Sequence, residues 1–211
     1  MKAVRVIADA KLSWDDVPTP VPAAGEVLIK VQATAINRAD LMQRMGLYPP
    51  PPGASDVMGL ECAGTIAAVG DGVTRWKEGD EVCALLSGGG YAQFAVAPEG
   101  SVLPVPQGLT MAHAACLPEV FATAYLNMYI EANLQQGEKV ILHAGASGVG
   151  TAGIQLAKAF GNPSFVTAGG DDKIQACVDL GAEAGANRKT ERFLEKASTF
   201  AGDSGVDLIL D

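Results

Sequence analysis

The chain has 211 residues, of which 48% are hydrophobic and 18% are charged, so it can form one large globular domain or two modest ones. Its formal net charge of -9 repels nucleic-acid phosphates and anionic lipid heads, and we predict partners of neither class. The amino terminus lacks a signal-peptide pattern, and no window approaches the roughly 20 apolar residues of a membrane span. We therefore expect a cytoplasmic protein that acts on a small molecule.

The first part of the chain consists of short apolar segments separated by glycine and proline. Residues 26–34, "EVLIKVQAT", alternate with the period of a half-buried strand. Three later segments, "GTIAAVGDGV", "GDEVCALL" and "YAQFAVAP", continue the pattern with tight Gly-Asp turns or a terminating proline. The pattern predicts a small barrel or sandwich over about the first 100 residues.

The apolar spacing lengthens to the helical period within residues 109–134, where we expect long helices and a domain boundary. We place a catalytic (substrate) domain at 1–120 and a nucleotide-binding domain at 121–211. From Lys139 the order becomes strand, glycine turn, helix, strand, helix and a last apolar strand, Val206 to Leu210. This alternation predicts a doubly wound parallel sheet.

The last predicted strand is apolar enough to lie inside a covered sheet, yet the chain stops at Asp211. A doubly wound dinucleotide domain ordinarily has about six strands. We therefore expect a Rossmann domain truncated at its C-terminal side and a chain that is the front part of a longer protein.

A glycine turn, "HAGASGVG" (residues 143–150), follows the first strand of the second half. Such a turn lets a pyrophosphate approach the backbone at the amino end of the next helix, whose free N–H groups and dipole attract the anion. The pattern alone is weak, because a serine replaces the second glycine of the common motif, and a turn needed only for packing is the alternative. The predicted cofactor-binding residues in this turn are Gly145, Ser147, Gly148, Val149 and Gly150.

Ser147 has two interpretations from sequence. Serine is common at helix amino termini, where its hydroxyl caps a backbone N–H, so capping without ligand contact is one. Contact with a cofactor phosphate or ribose is the other.

The second strand ends in "TAGGDDK" about 20 residues later, where a cofactor ribose is normally bound. An acidic residue at this position favours NAD, whereas a basic residue accommodates the additional phosphate of NADP. Both types are present, together with Arg188 farther along, and a solvated helix start remains the alternative. We predict NADPH, with Lys173 and Arg188 at the 2′-phosphate and with Gly169 and Gly170 at the same site.

Three stretches resemble the quinone oxidoreductases of the medium-chain dehydrogenase/reductase superfamily, especially the subfamily typified by the tumour-suppressor-inducible quinone oxidoreductase. They are "AINRADLMQRMGLYPPPPGASDVMGLECAG", "LPEVFATAY" and "HAGASGVGTAGIQLAKAFG". The resemblance implies a GroES-like β-barrel domain, a Rossmann NADPH-binding domain, a cleft between them, and a homodimer in the full-length protein.

The zinc-containing members of the superfamily have a Cys-His pair where this chain has Asn37 and Arg38, and a Gly-His-Glu where it has Gly59, Leu60 and Glu61. Their third metal cysteine and their four-cysteine lobe have no counterpart. The cysteines also lack the paired spacing of a zinc ribbon, a redox dithiol or a disulfide framework, and we expect buried free thiols at Cys62, Cys83, Cys116 and Cys177. We predict no metal site.

By resemblance, Asn37 and Tyr48 line the nicotinamide and substrate cleft as catalytic residues, and Thr123 lies near the carboxamide end of the cofactor. Their structural alternatives are a turn-stabilising asparagine, a barrel-packing tyrosine and an ordinary helix residue. Related enzymes commonly have serine at the position of Gly170 and tyrosine at that of Arg188, so these two adenosine-side contacts differ here.

The resemblance implies an NADPH-dependent, zinc-independent quinone reductase, with a quinone as the small-molecule substrate. An NADPH-dependent reductase of enone or alkenal double bonds uses the same hydride geometry and is the first alternative. A cofactor-binding protein with little turnover in this truncated form is the second.

Overall fold

The computed structural model describes all residues from 1 to 211, which divide into two compact units. Unit 1 is Met1–Glu119 and unit 2 is Val120–Asp211. None of the helices is both long and apolar enough to cross a membrane.

Unit 1 is built on antiparallel strands. The strands are β1 (Lys2–Ile7), β2 (Lys11–Asp16), β3 (Glu26–Thr34), β4 (Glu61–Val69), β5 (Glu81–Leu85), β6 (Phe94–Pro98) and β7 (Val102–Pro104). A hairpin pairs β1 with β2, and a five-stranded sheet has the order β6-β3-β4-β5-β7.

The alternation in β3 explains how this sheet encloses a core. Val27 and Ile29 are fully buried and pack with Cys62, Ile66 and Val82 from the neighbouring strands. The register of β3 against β4 shifts twice along the strand, and such bulges bend a sheet. The result is a curled half-barrel, which confirms the predicted barrel-like first domain.

The helical region near the unit boundary is more broken than the sequence predicts. It contains α2 (Met111–Ala114), α3 (Pro118–Tyr125) and a π-helical segment, Leu126–Glu131, in place of long helices. The first residue of α3 is a proline, which lacks a backbone N–H and disfavours helix in the preceding residue, so α2 cannot continue into α3. One further helix, α1 (Arg38–Arg44), was not expected from the sequence.

Unit 2 alternates strands and helices: β8 (Val140–Leu142), α4 (Gly148–Phe160), β9 (Ser164–Ala168), α5 (Asp171–Leu180), β10 (Ala184–Asn187), α6 (Phe193–Ala201) and β11 (Leu208–Leu210). Its strands form a parallel sheet of order β10-β9-β8-β11. With β8 counted first, this is the start of the doubly wound strand order 3-2-1-4, which confirms the predicted Rossmann-type fold.

The two central strands of this sheet, β8 and β9, are buried at every position, as parallel strands covered on both faces require. β11 differs from the expected covered strand. It pairs only with β8, at the sheet edge, and the side chain of Ile209 is 57% exposed.

Three cysteines are buried as expected, whereas Cys116 is exposed. Burial raises the pKa of Cys62 to about 12, so this thiol stays protonated at neutral pH. The exposed position of Cys116 contradicts the expectation of four buried thiols; it lies just after the short helix α2, outside the packed sheets.

Candidate functional site

The turn between β8 and α4 is formed by close backbone approaches that only glycine permits. A Cβ on Gly145 would lie 2.6 Å from Cβ of Val166 on the neighbouring strand. A Cβ on Gly150 would lie 2.5 Å from the carbonyl oxygen of Ala144, so glycine here lets the first turn of α4 pack on the loop. Packing therefore accounts for these two glycines, and the loop they shape ends at an exposed helix terminus.

Ser147 is the N-cap of α4. Its Oγ accepts a hydrogen bond from the Gly150 N–H at 3.1 Å, which satisfies one of the free donors of the first turn. The structure thus shows that Ser147 caps the helix, and its contact with a cofactor stays a prediction. Because the hydroxyl accepts in this bond, its own proton remains available to donate to a ligand oxygen.

Unit 2 has a cavity of about 300 Å³ beside this turn, at the carboxyl ends of β8, β9 and β10. Ligands of open parallel sheets bind at this end of the strands. The lining residues are Ala144, Ala146, Ser147, Ala168, Gly169, Lys173, Arg188 and Lys189. The structure therefore brings four predicted residues together: Ser147, Gly169, Lys173 and Arg188.

Lys189 is a cavity residue that the sequence reasoning missed. Its Cε and the Arg188 guanidinium lie 3.4 and 3.6 to 3.7 Å from the position of a Cβ on Gly169. Neither side chain, nor that of Lys173, takes part in the ion pairs of unit 2, which are Arg192–Glu195 and Lys196–Glu191. The cavity consequently has three cationic side chains at its rim.

The remaining predicted residues of unit 2 lie outside the cavity lining. Val149 packs against the core of the unit, and a Cβ on Gly148 would lie 2.9 Å from Val120 Cγ1. Gly170 is the N-cap of α5, and Thr123 is a half-buried residue of α3 whose carbonyl accepts from the Asn127 side chain.

Asn37 stands at the amino end of α1 in unit 1. Its backbone N–H donates to Oδ2 of Asp40 at 2.7 Å, which fixes the first turn of the helix. Its Nδ2 donates to Oε1 of Glu61 at 2.8 Å. One N–H of the amide is therefore used within the protein, and the other remains available to a ligand.

Glu61 is a second residue that the sequence reasoning did not select. It is only 1% exposed, and its other carboxylate oxygen accepts the Glu119 N–H, near the amino end of α3, at 2.9 Å. Burial raises the pKa of Glu61, although both hydrogen bonds oppose this shift. The Gly-Leu-Glu triplet at residues 59–61 was the available signal, but sequence alone did not reveal its contact with Asn37.

Tyr48 lies four residues beyond the carboxyl end of α1, whereas Asn37 caps the amino end of that helix. Its side chain is 44% exposed. A cavity of about 640 Å³ in unit 1 is lined in part by Trp14, Ile36 and Tyr91, and neither Asn37 nor Tyr48 contributes to it.

The chain has no group of three or more His, Cys, Asp and Glu side chains arranged to hold a metal ion. At residues 37–38 and 59–61, Glu61 is the one side chain of a type that binds zinc, and both of its oxygens accept hydrogen bonds from the protein.

Two family models match the chain: the alcohol dehydrogenase GroES-like domain over residues 23–107 and the zinc-binding dehydrogenase family over residues 148–211. The quinone oxidoreductase of Rattus norvegicus is 35% identical over 100% of this chain and 66% of its own length. The chain thus spans about two thirds of the length of the curated relatives that it matches.

Solved structures with similar folds include an enoyl reductase and a quinone oxidoreductase. CurK enoyl reductase aligns with a TM-score of 0.88 and 32% identity, over 100% of this chain and 66% of that one. The quinone oxidoreductase of Thermus thermophilus, solved alone and with NADPH, aligns with a TM-score of 0.82 and 33% identity. This alignment also covers 100% of this chain and 66% of the other chain. Together with the GroES-like and Rossmann-type units, these matches confirm the resemblance: the chain belongs to the medium-chain dehydrogenase/reductase superfamily and is quinone oxidoreductase-like.

Proposed function

We propose that the protein is an NADPH-dependent quinone reductase that works without zinc. In this proposal residues 1–120 form the substrate domain and residues 121–211 bind the cofactor. The observation that carries the proposal is the cavity of unit 2, where a capped glycine turn lies beside three cations. The similarity to quinone oxidoreductases supports the choice of acceptor.

The residues of unit 2 suit a dinucleotide with an additional phosphate. The free N–H groups at the start of α4 and the Ser147 hydroxyl are donors for a pyrophosphate. Lys173 and Arg188 supply the positive charge that a 2′-phosphate requires, beside the Gly169 backbone. When bound, NADPH supplies the hydride.

The residues of unit 1 would stabilise the charge that develops on a quinone oxygen. The second N–H of the Asn37 amide and the Tyr48 hydroxyl are the proposed donors. Glu61 holds the Asn37 amide in one orientation, so this donor is positioned before the substrate binds. Because these donors act by hydrogen bonding, the proposal does not require a Lewis acid.

Reduction of an activated carbon–carbon double bond is a second candidate, favoured by the similarity to CurK enoyl reductase. The same hydride donor and the same oxygen-binding residues suit an enone, whose carbonyl oxygen becomes negative when hydride adds to the double bond.

Steady-state NADPH oxidation with a panel of benzoquinones and naphthoquinones and a parallel panel of enones and enoyl thioesters tests the proposal. We expect turnover with quinones at a higher kcat/KM than with any double-bond substrate. Replacing Asn37 with Ala should lower kcat/KM roughly 100-fold, as the loss of one positioned donor does elsewhere, and leave the Kd of NADPH unchanged. Activity confined to enones would assign the protein to the second candidate.

A further inference from the structure

The turn that follows β10 carries two of the three cations of the cavity. The Arg188 N–H donates to the Ala168 carbonyl at 2.9 Å, which extends the parallel ladder by one residue. Arg188 and Lys189 are thereby placed over Gly169, at the end of the adjacent strand. The direction of both cationic side chains depends on the conformation of residues 187–191.

Asn187 holds this turn together. Its side chain is buried, with an exposed fraction of 5%, and its Oδ1 accepts the Lys189 N–H at 3.1 Å. Its backbone carbonyl accepts the N–H groups of Thr190 and Glu191 at 3.1 and 2.9 Å. A single buried residue therefore bonds three of the other four residues of the turn, and the fourth, Arg188, is bonded to Ala168.

The same side chain also engages a carboxylate. Asn187 Nδ2 donates to Oδ1 of Asp171 at 2.7 Å. Asp171 is the first residue of α5, just after the second strand, where an acidic residue binds ribose hydroxyls in NAD-selective domains and where a 2′-phosphate would be repelled. In this chain Asp171 does not line the cavity.

A second carboxylate, that of Glu191 in the same turn, is also bound by donors of the protein. Glu191 accepts the Asn187 N–H at 2.8 Å and pairs with Lys196, and these contacts, the Lys196 hydrogen bond foremost, lower the pKa of Glu191. Both acids are therefore bound to donors of the protein, whereas Lys173, Arg188 and Lys189 face the cavity.

We infer that Asn187 is a positioning residue for cofactor selection. It holds the Asp171 carboxylate away from the cavity and holds the Arg188–Lys189 turn over Gly169, so that the cavity accepts a phosphate monoester on the adenosine ribose. This inference rests on the proposed NADPH-dependent function, and it adds Lys189 to the phosphate-binding cations.

The test measures the Kd of NADPH and NADH by fluorescence titration, and the Kd of adenosine 2′,5′-bisphosphate and ADP by calorimetry. Asn187→Ala should reduce the preference for NADPH about 10-fold, the effect of losing about 1.4 kcal/mol of discrimination. In a background of Asp171→Ala, the same substitution should change the preference less, because no carboxylate is then released. The bisphosphate should lose affinity in parallel with NADPH, and ADP should not.

Asn162→Ala is the matched control. Asn162 is an equally buried asparagine of unit 2. Its side chain bonds Tyr129 and the carbonyls of Gln135 and Glu138, none of which lines the cavity. Its loss should lower stability and leave the ratio of the two Kd values unchanged. If Asn187→Ala does not fold, Asn187→Asp keeps the acceptor for Lys189 and should still reduce the preference, with Asn162→Asp as its control.

An unchanged ratio in a folded Asn187 variant overturns the inference and leaves the proposed function intact. A wild-type protein that binds NADH as tightly as NADPH also overturns it, and quinone turnover with NADH would then preserve the reductase function. Failure to bind either dinucleotide would instead remove the proposed function itself.

Discussion

The amide nitrogen of Asn37 lies 2.8 Å from the Glu61 carboxylate, although 24 residues separate them in the chain. The contact joins the start of α1 to a buried acid at the start of β4. The same carboxylate accepts the Glu119 N–H near the start of α3. One buried group thus orients a proposed catalytic side chain and caps a helix.

Exchanging the amide of residue 37 and the carboxylate of residue 61 tests the coupling between the two side chains. Asn37→Asp would place two carboxylates within hydrogen-bond distance, and we expect it to reduce the free energy of unfolding by about 3 kcal/mol. In the double variant Asn37→Asp/Glu61→Gln, the new amide can donate to residue 37 and still accept from Glu119, so at least half of the lost stability should return. Urea unfolding measures both effects, and additive losses in the double variant would refute the coupling.

The raised pKa of Glu61 predicts a specific dependence of stability on pH. The native state binds this proton more tightly than the unfolded chain, so the contribution of Glu61 to stability falls as pH rises from the ordinary value of 4.5 through the raised one. Asp16, Asp80 and Glu191 have lowered pKa values and act in the opposite direction, because their stabilisation is lost as pH falls.

The difference between wild type and Glu61→Gln therefore isolates this group. The free energy of unfolding, measured between pH 4 and pH 8, should decline less with rising pH in the variant. Parallel curves would show that Glu61 has an ordinary pKa in the folded protein.

Two substitutions of Ser147 separate capping from ligand binding. Alanine at an N-cap costs about 1 kcal/mol of stability, whereas glycine costs only a few tenths. If the hydroxyl donates to the cofactor, Ser147→Ala and Ser147→Gly should raise the Kd of NADPH by the same factor despite their different melting temperatures. A Kd that rises only in the alanine variant would reduce Ser147 to its capping role.

The close approach of Gly145 to β9 predicts a large effect of one methyl group. Gly145→Ala should destabilise unit 2 by about 1 to 3 kcal/mol through overpacking against Val166, and Gly145→Ala/Val166→Ala should lose less than the sum of the two single variants. Gly100→Ala is the control, since a Cβ there meets nothing within 4 Å. Equal effects of the Gly145 and Gly100 variants in urea unfolding would contradict the packing account.

Sequence reasoning predicted the features that depend on neighbouring residues. The alternation of Val27 and Ile29, the glycine turn and the Ser147 cap are local patterns, and the structure contains all three. The hairpin of β1 and β2 was missed because its turn uses Asp9 and Ala10 at positive φ, where glycine or asparagine is the usual signal. Helix α1 was missed because its seven residues are too few for a clear helical period.

The site contacts that were missed depend on tertiary structure. Lys189 reaches the cavity because β10 lies beside β9, and the Asn187–Asp171 bond joins residues 16 positions apart. Neither contact has a local sequence signal. Contacts and cavity residues that neighbouring strands bring together were therefore harder to predict than the local glycine turn beside the cavity.

Arg188 should contribute to NADPH binding without contributing to NADH binding. Arg188→Ala is expected to raise the Kd of NADPH about 10-fold, as loss of a charge-assisted hydrogen bond to a phosphate implies, and to leave that of NADH nearly unchanged. Arg192→Ala removes the same charge four residues away, outside the cavity lining, and should affect neither cofactor. Equal losses for both cofactors in the Arg188 variant would show that its role is not phosphate recognition.

The most direct test is the pair of dissociation constants of the wild-type protein for NADPH and NADH, measured by fluorescence titration at the same ionic strength. Three cations line the cavity and Asp171 does not, so we expect NADPH to bind more tightly than NADH. This preference should weaken as salt is added, because salt screens the charges. Equal or tighter binding of NADH would contradict the assignment of this cavity to a 2′-phosphate.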